Sequence, residues 1–349
     1  MHIPDGYLSP STCATLYAFA AAGWYTALRR IKRVFAARTV PMVSVFAAFS
    51  FIVMMFNVPL PGGTTGHALG VTVAAIVLGP AGAILAVSIA LTIQALLFGD
   101  GGITTLGANC FNMAIIGSLV AYGVYRLVAK GTEVSSRRRV IAAAIAGYTS
   151  INVCALATAI EFGIQPTLFH DAAGTPLYAP YPLRVAVPAM MIGHLTFAGL
   201  AEAAVSAGMV SYLQRADIGL LRGIGAATGN ALSPPDTQRA PGRLWWAVGL
   251  LMLCTPLGIL AAGSAWGEWS SKDLNTRIQE QASDSGNQAT PSAVPAGLQR
   301  LSSIWTAPFP GYAPRFVRSP MLGYFLSAMF AVGVFVLVSM FAVAARRRS

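Results

Sequence analysis

The sequence predicts an all-α membrane protein, a bundle of about nine transmembrane helices. Of the 349 residues, 55% are hydrophobic and 10% are charged, against roughly 25% charged in a soluble domain. This is too little charge to cover a water-exposed surface, which excludes an ordinary water-soluble enzyme. The 23 Lys and Arg residues include only three Lys and form no basic stripe, so nucleic acid is not an expected partner.

Nine apolar segments can be marked, at roughly 20 residues for each crossing of a bilayer. They lie at about 11–28, 40–56, 67–79, 81–98, 106–128, 140–163, 183–213, 244–262 and 321–345. The third segment is short and ends at Gly79-Pro80, a pair that favours a tight turn. We therefore expect it to be re-entrant or tilted within the bundle.

The distribution of Lys and Arg predicts the orientation of the chain in a cell membrane. If the N-terminus lies outside, the segments 29–39, 126–139, 214–243 and 346–348 lie inside and hold 17 of the 23 cations. The predicted outer segments hold the other six. An odd number of spans also places the C-terminus in the cytoplasm.

Composition divides the chain into two units. Residues 1–225 form a seven-span unit, and the polar, Pro- and Gly-rich residues 226–243 form a cytoplasmic linker. Residues 244–349 form a two-span unit with a long outer loop at 263–320, of which 270–303 is rich in Ser, Gln and Asn and is predicted to be flexible. No internal repeat is visible, and the four cysteines are scattered singly, as small buried hydrophobic residues.

Two histidines lie where a metal site can form on the outer face. His2 follows the amino terminus, and Met1 is expected to be retained because His2 is large. The α-amine, the His2 backbone nitrogen and His2 Nδ1 can close consecutive five- and six-membered chelate rings, and His67 can add a fourth nitrogen. A square of nitrogens favours Ni(II) or Cu(II) over Zn(II) or Mg(II). The alternative is that His2 only solvates a chain end and His67 caps a helix.

Four stretches carry a resemblance to the CbiM/NikM family over residues 1 to about 225. They are MHIPDGYLSP, NVPLPGGTTGHALG, QALLFGDGGITTLGANCFNMAIIG and GHLTFAGLAEA. Members of this family are substrate-binding (S) components of energy-coupling-factor (ECF) transporters for cobalt and nickel. The resemblance implies that Met1, His2 and His67 hold the metal. The GGTTGH context resembles the nickel branch, which makes Ni(II) the expected substrate and Co(II) the second.

Residues 244–349 resemble the small two-span NikN/CbiN component, fused in line, through the stretch CTPLGILAAGSAWGEW. The family's PDGLE-type stretch is missing from the long loop, so the resemblance assigns no specific role to that loop. The resemblance also implies partners, a membrane-embedded coupling (T) subunit and two cytoplasmic ATPase subunits.

Several polar residues are candidates to support the metal site. Asp100 is expected on an outer loop, and Asn109 and Asn112 are spaced i, i+3 on one face of the fifth span. Either Asn can orient His67 or hold the N-terminal backbone, or it can form ordinary capping and interhelical hydrogen bonds. Asp5-Gly6 is predicted to be a turn that folds the N-terminus back into the bundle.

Other positions are candidates for contact with the coupling subunit. Small residues at four-residue spacing, Ala14, Ala18 and Ala22, permit close approach of another helix, within the bundle or from the coupling subunit. Glu202 lies inside a span, about 80° around the helix from His194, and either contacts the coupling subunit or forms a hydrogen bond within the bundle. Glu161 is expected near the outer interface, and His170 in a solvated outer loop.

The sequence disfavours two other functional classes, an intramembrane metalloenzyme and a stand-alone secondary transporter. The chain has no GxxxxGK[ST] motif, so it is not an enzyme by itself and cannot power transport. An intramembrane metalloenzyme needs a motif such as HExxH, which is absent. A stand-alone secondary transporter predicts inverted repeats, and none is visible.

Overall fold

The computed structural model describes residues 1–34, 39–60, 64–222, 240–260, 265–270, 272–276, 294–314 and 316–348. Within them the chain is helical, as predicted, apart from one short hairpin. The first unit contains α1 (Pro10–Val34), α2 (Thr39–Met55), α3 (Val71–Ile93), α4 (Leu106–Asn109), α5 (Gly117–Val128), α6 (Arg137–Leu168), α7 (Leu183–Gly193) and α8 (Gly199–Ala216). The second unit contains α9 (Ala240–Cys254), α10 (Ala296–Leu301) and α11 (Pro320–Arg348).

Among the described residues, five helical segments are long and apolar enough to cross a membrane. They are Val71–Phe98, Leu106–Val128, Arg137–Leu168, Leu183–Ala216 and Pro320–Val338, and two shorter apolar helices are Val40–Met55 and Leu244–Ile259. Together with α1, these helices coincide with all nine apolar segments marked in the sequence. The predicted class, a helical membrane bundle, is confirmed.

The third and fourth apolar segments form two legs that reverse at Gly79. The backbone of Gly79 leaves the helical region, with φ 72° and ψ 167°. A straight helix of 28 residues would be about 42 Å long. Yet His67 at one end and Asp100 at the other both contact His2 Nδ1, at 3.2 Å and 3.1 Å. The chain must therefore double back, and the first leg, from Val71, is short, as the Gly79-Pro80 pair suggested.

Three long helices contain π-helical stretches, which the sequence analysis did not predict. They are Gln94–Phe98 after α3, Cys110–Ile116 between α4 and α5, and His194–Ala198 between α7 and α8. A π-helix bonds i to i+5 rather than i+4, so residues separated by one of these stretches no longer follow a 3.6-residue period. Such stretches are frequent at functional sites.

A two-stranded antiparallel hairpin leads into the first leg of α3. Strand β1 (Val58–Leu60) pairs with β2 (Thr64–Gly66), with Val58 opposite Gly66. This hairpin is an addition to the all-α prediction, since strands of three residues leave no readable alternation. His67 is the residue directly after β2, so the hairpin positions it.

The second unit packs onto the first. Helices α9 and α11 both lie against α2, and Phe335 of α11 makes an edge contact with Phe51 of α2. Tyr312, before α11, stacks on Phe98. Residues 226–239 of the linker predicted at 226–243 lie outside the described residues, as do the loop residues 277–293, and the last four linker residues form the start of α9.

Candidate metal centre

The amino terminus is buried inside the bundle. Met1 is 3% exposed, His2 2% and Ile3 0%. Asn109 binds both sides of the residue-3 backbone: Ile3 N–H donates to Asn109 Oδ1 at 2.8 Å, and Asn109 Nδ2 donates to the Ile3 carbonyl at 3.1 Å. The same carbonyl accepts from Gly102 N–H at 2.9 Å and from the Thr105 hydroxyl at 2.5 Å. The terminal segment is thereby held in one place.

A turn at Asp5-Gly6 returns the chain to α1. Gly6 has a φ of +91°, which only glycine adopts readily. The Asp5 carboxylate accepts hydrogen bonds from Ile103 N–H at 3.1 Å, from Thr104 N–H at 2.7 Å and from the Thr104 hydroxyl. A Cβ on Gly102 would lie 2.4 Å from the Asp5 backbone nitrogen, so the terminal segment fits only against a glycine there.

Four nitrogens from Met1, His2 and His67 converge. The α-amine and the His2 N–H both donate to one oxygen, Glu268 Oε1, at 2.5 Å and 2.9 Å. His2 Nδ1 lies 3.2 Å from His67 Nε2, and the two rings are 4.9 Å apart between centroids. The chelate argument named the α-amine, the His2 backbone nitrogen, His2 Nδ1 and one nitrogen of His67, and the His67 nitrogen nearest to His2 Nδ1 is Nε2.

His67 is oriented so that Nε2 faces the cluster. Its Nδ1 lies 3.0 Å from the Ala68 carbonyl, and a carbonyl only accepts, so Nδ1 carries the proton and Nε2 keeps its lone pair. Behind it, Glu202 Oε2 accepts the backbone N–H groups of Leu69 and Gly70 at 2.7 Å and 2.9 Å. The fully buried Glu202 thus ties α8 to the backbone that carries His67.

Two carboxylates from different units border the nitrogens. Asp100 Oδ1 lies 3.1 Å from His2 Nδ1, and His2, Asp100 and Glu268 offer ligand atoms that all lie within 4.8 Å of one another. Burial, and then the charge of Glu268, raise the pKa of Asp100. Burial alone would raise the pKa of Glu268 as well, but the charges of the amine and of His2 outweigh it and hold that pKa below its ordinary value. The centre therefore pairs the carboxylate of Glu268 with the protonated amine and places Asp100 beside the imidazole of His2.

The two imidazoles are held in the neutral form that binds metals. Burial lowers the pKa of His2 to about 4, against the opposing effect of Glu268. Burial, and then the neighbouring His2, lower the pKa of His67 to about 4. Neutral imidazole is the form that ligates a metal, so both rings are ready to bind at neutral pH.

Several predicted residues lie apart from this cluster. Asn112 Nδ2 donates to Glu161 Oε2 at 2.8 Å, an interhelical bond that does not involve the N-terminal segment. Asn112 does not lie on the same helical face as Asn109, because the π-helical stretch from Cys110 changes the number of residues per turn. His194 Nδ1 bonds the Met190 carbonyl at 2.8 Å, and the π-helical stretch that begins there also alters the angle computed between His194 and Glu202.

The loop histidine and the small residues on α1 are exposed to the surroundings of the bundle. His170 lies on an exposed loop. The side chains of Ala14, Ala18 and Ala22 face outward from α1 rather than into the bundle. Their predicted contact with a coupling subunit stays a prediction.

Sequence reasoning missed Glu268 and Gln94. Glu268 contacts the amino terminus from 267 positions away, and the only available signal was an isolated acidic residue between Trp266 and Trp269 in a weakly charged chain. Gln94 is 0% exposed at the start of a π-helical stretch beside His2 and Asp100. A glutamine inside an apolar segment was the corresponding signal.

Comparisons with known proteins agree with this architecture. The model of the CbiM family, described as the cobalt uptake substrate-specific transmembrane region, matches residues 2–219. A fused nickel transport protein NikMN of Rhodobacter capsulatus is 51% identical over 338 residues, 96% of this chain and 95% of the relative. A probable fused nickel transport protein LarMN of Lactiplantibacillus plantarum is 40% identical over 97% of this chain and 96% of the relative.

One solved structure covers the first unit. A crystal structure of a transition metal transporter is 53% identical, with a TM-score of 0.58, over 62% of this chain and 94% of that chain. The family match covers His2 and His67, and the Rhodobacter capsulatus relative spans both units. The chain belongs to the CbiM family of metal-uptake transmembrane components.

Proposed function

We propose that the chain captures Ni(II) at the outer face of the cell membrane and is the S component of an ATP-driven ECF transporter. Co(II) is the second candidate substrate, since the family model describes cobalt uptake while two relatives that cover 96% and 97% of this chain are named nickel transport proteins. The observation that carries the proposal is the convergence of four nitrogens at one buried point. The ligands are the α-amine, the His2 backbone nitrogen, His2 Nδ1 and His67 Nε2.

His2 Nδ1 and His67 Nε2 lie close enough to bind one metal, and the consecutive chelate rings of the amino terminus favour a square of ligands. At a metal–nitrogen distance of about 2.0–2.1 Å, neighbouring ligands at right angles are about 2.9 Å apart. His2 Nδ1 and His67 Nε2 are 3.2 Å apart, so a small movement brings them to this value. Square-planar nitrogen coordination favours Ni(II) or Cu(II), whereas Zn(II) prefers a tetrahedron.

A bound metal and Glu268 compete for the backbone nitrogen of His2. This nitrogen has one hydrogen, which it donates to Glu268 Oε1 and which a metal would replace, whereas the α-amine would lose one of its three hydrogens. Metal capture therefore releases protons and requires this carboxylate of the second unit to move aside. The nearby negative charge of Glu268 and Asp100 still favours the approach of a divalent cation.

The family resemblance implies the partners, a membrane-embedded T subunit and two cytoplasmic ATPases. The chain itself has no nucleotide-binding motif. The exposed face of Ala14, Ala18 and Ala22 on α1 suits close contact with a membrane helix of the T subunit. The excess of cations in the predicted inner segments supports an N-terminus outside and a C-terminus in the cytoplasm.

The test separates capture from transport. The purified chain in proteoliposomes should bind Ni(II) but accumulate none, and accumulation should require the T subunit, the ATPases and ATP. His67→Ala should abolish tight binding, whereas His170→Ala, a matched change on the exposed loop, should leave it intact. Accumulation of Ni(II) by the chain alone would favour a secondary transporter, and unchanged binding by His67→Ala would refute the ligand set.

A further inference from the structure

Gln94 and His2 present two buried atoms that complete no hydrogen bond. Among the described residues, His2 Nε2 and Gln94 Oε1 are both buried and unpartnered, although the two side chains interact. His2 is 2% exposed and Gln94 0%. Leaving such groups unsatisfied is costly in a folded protein, so the pair requires an explanation.

The hydrogen bonds of Gln94 fix the orientation of its amide. Gln94 Nε2 donates to Tyr312 Oη at 3.0 Å and to Asp100 Oδ2 at 3.3 Å, and Tyr312 Oη donates to the same Asp100 oxygen at 2.5 Å. A carboxylate only accepts, so the nitrogen of the amide must face Asp100. The oxygen of Gln94 is therefore the atom left for His2.

The contacts of His2 define which ring nitrogen carries the proton in this structure. His2 Nδ1 faces Asp100 Oδ1 at 3.1 Å and His67 Nε2 at 3.2 Å, and His67 Nε2 is an acceptor because its Nδ1 donates to the Ala68 carbonyl. His2 Nδ1 thus carries the hydrogen, and Nε2 carries a lone pair. In this tautomer the Nε2 of His2 and the oxygen of Gln94 are both acceptors, so no hydrogen bond can join them.

We propose that metal capture switches the tautomer of His2 and that Gln94 Oε1 accepts the hydrogen bond from the resulting Nε2–H. The inference rests on the proposed function, since it requires His2 Nδ1 as the ligand. With the metal on Nδ1, the hydrogen of the neutral ring resides on Nε2, and the ring stays neutral before and after. Gln94 is then a positioning residue: it satisfies the metal-loaded ring and leaves the metal-free ring unsatisfied.

This arrangement also connects the fused unit to the ligand. Tyr312 lies in the second unit, immediately before α11, and orients both Gln94 and Asp100. Phe98, on the same π-helical stretch as Gln94, stacks on Tyr312. The fused unit therefore acts on His2 through the amide of Gln94.

The test is a nitrogen-15 spectrum of histidine-labelled protein, metal-free and loaded with Ni(II), which is diamagnetic in a square-planar site. We expect Nδ1–H for His2 in the metal-free protein. In the loaded protein we expect a slowly exchanging, hydrogen-bonded Nε2–H. A metal-free His2 already protonated on Nε2, or a loaded Nε2–H in rapid exchange, would overturn the inference even if Ni(II) binds.

Two variants assign the acceptor. Gln94→Met should lose the hydrogen-bonded Nε2–H signal and bind Ni(II) about 10- to 100-fold more weakly, as expected when the partner of a ligating histidine is removed. Tyr312→Phe removes one hydroxyl that orients Gln94 but keeps the oxygen of Gln94 and its amide bond to Asp100, so it should weaken the signal without abolishing it. A Gln94→Met protein that retains the signal refutes the role of Gln94.

The outcomes distinguish this inference from the proposed function. If the wild-type protein binds no Ni(II), the proposed function fails. If it binds Ni(II) through Nδ1 without the Nε2–H signature, only the inference fails. The His67 Nδ1–H signal, bonded to a backbone carbonyl, reports whether a variant is folded, and for an unfolded variant the wild-type spectra alone decide.

Discussion

Glu202 offers the sharpest test of how the bundle positions His67. Its carboxylate is fully buried and accepts the backbone N–H groups of Leu69 and Gly70 at 2.7 Å and 2.9 Å. Glu202→Ala leaves both donors buried without a partner, at a cost of about 1–3 kcal/mol each. The backbone beside His67 can move to relieve this cost, and metal binding must then restore its position. If the restoration costs about 2 kcal/mol, nickel affinity falls about 30-fold, since each 1.4 kcal/mol is a factor of ten.

Two matched variants separate this effect from a general loss of stability. Glu202→Gln keeps one oxygen toward Leu69 and Gly70, so it should lose much less affinity than Glu202→Ala. Glu161→Ala removes another buried carboxylate, one that bonds Asn112 rather than the residues after His67. It should lower the melting temperature and leave nickel affinity within about twofold, below the roughly 10-fold effect expected of a residue that supports a ligand.

The assay is calorimetric titration of Ni(II) into folded protein, with the folded fraction checked by thermal denaturation. The account requires the order wild type, then Glu202→Gln, then Glu202→Ala in decreasing affinity. A folded Glu202→Ala protein that binds Ni(II) as tightly as the wild type would refute the reasoning that Glu202 holds the His67 backbone in place.

Three further predictions concern the site. Nickel affinity should fall as the pH falls, because protons compete at the nitrogens, and the fall should steepen near pH 4, where His2 and His67 become protonated; a flat titration profile would contradict the ligand set. Gly102→Ala should weaken nickel binding in calorimetry, because the added Cβ would lie 2.4 Å from the Asp5 backbone nitrogen, and unchanged affinity would show that the terminal segment tolerates displacement. Glu268→Gln should expose the α-amine of the metal-free protein, since it removes one partner of a buried ion pair; mass spectrometry should show faster acylation of the amine, and an unchanged rate would mean that this contact does not shield it.

Local chemistry and hydropathy predicted much of this molecule. The nine apolar segments coincide with helices because burial in lipid needs long apolar runs, and the Gly79-Pro80 pair marked the reversal between two of them. The predicted chelate atoms of Met1 and His2 are neighbours in sequence, so their convergence needs no knowledge of the fold. Only the approach of His67 depended on tertiary structure, and the family resemblance supplied that expectation.

The rest depended on contacts that leave no local pattern. Asn109 and Asn112 were placed on one face by a 3.6-residue period, which the π-helical stretch from Cys110 breaks. Glu268 reaches the amine across 267 positions. The role of Gln94 depends on Tyr312 of the second unit, which orients the Gln94 amide. Long-range polar contacts of this kind follow from packing, not from periodicity.

The most direct test of the central claim is calorimetric titration of Ni(II) into the protein with its native amino terminus, beside two variants. His2→Ala removes the imidazole donor and leaves the α-amine and the backbone nitrogen, and two glutamines inserted between Met1 and His2 separate the amine from the imidazole. Two residues are inserted rather than one because a histidine at the third position would form a new chelate with the amine and two amide nitrogens. The account predicts tight binding in the native protein and its loss in both variants. Tight binding that survives the insertion would show that the amino terminus is not a ligand and would contradict the account.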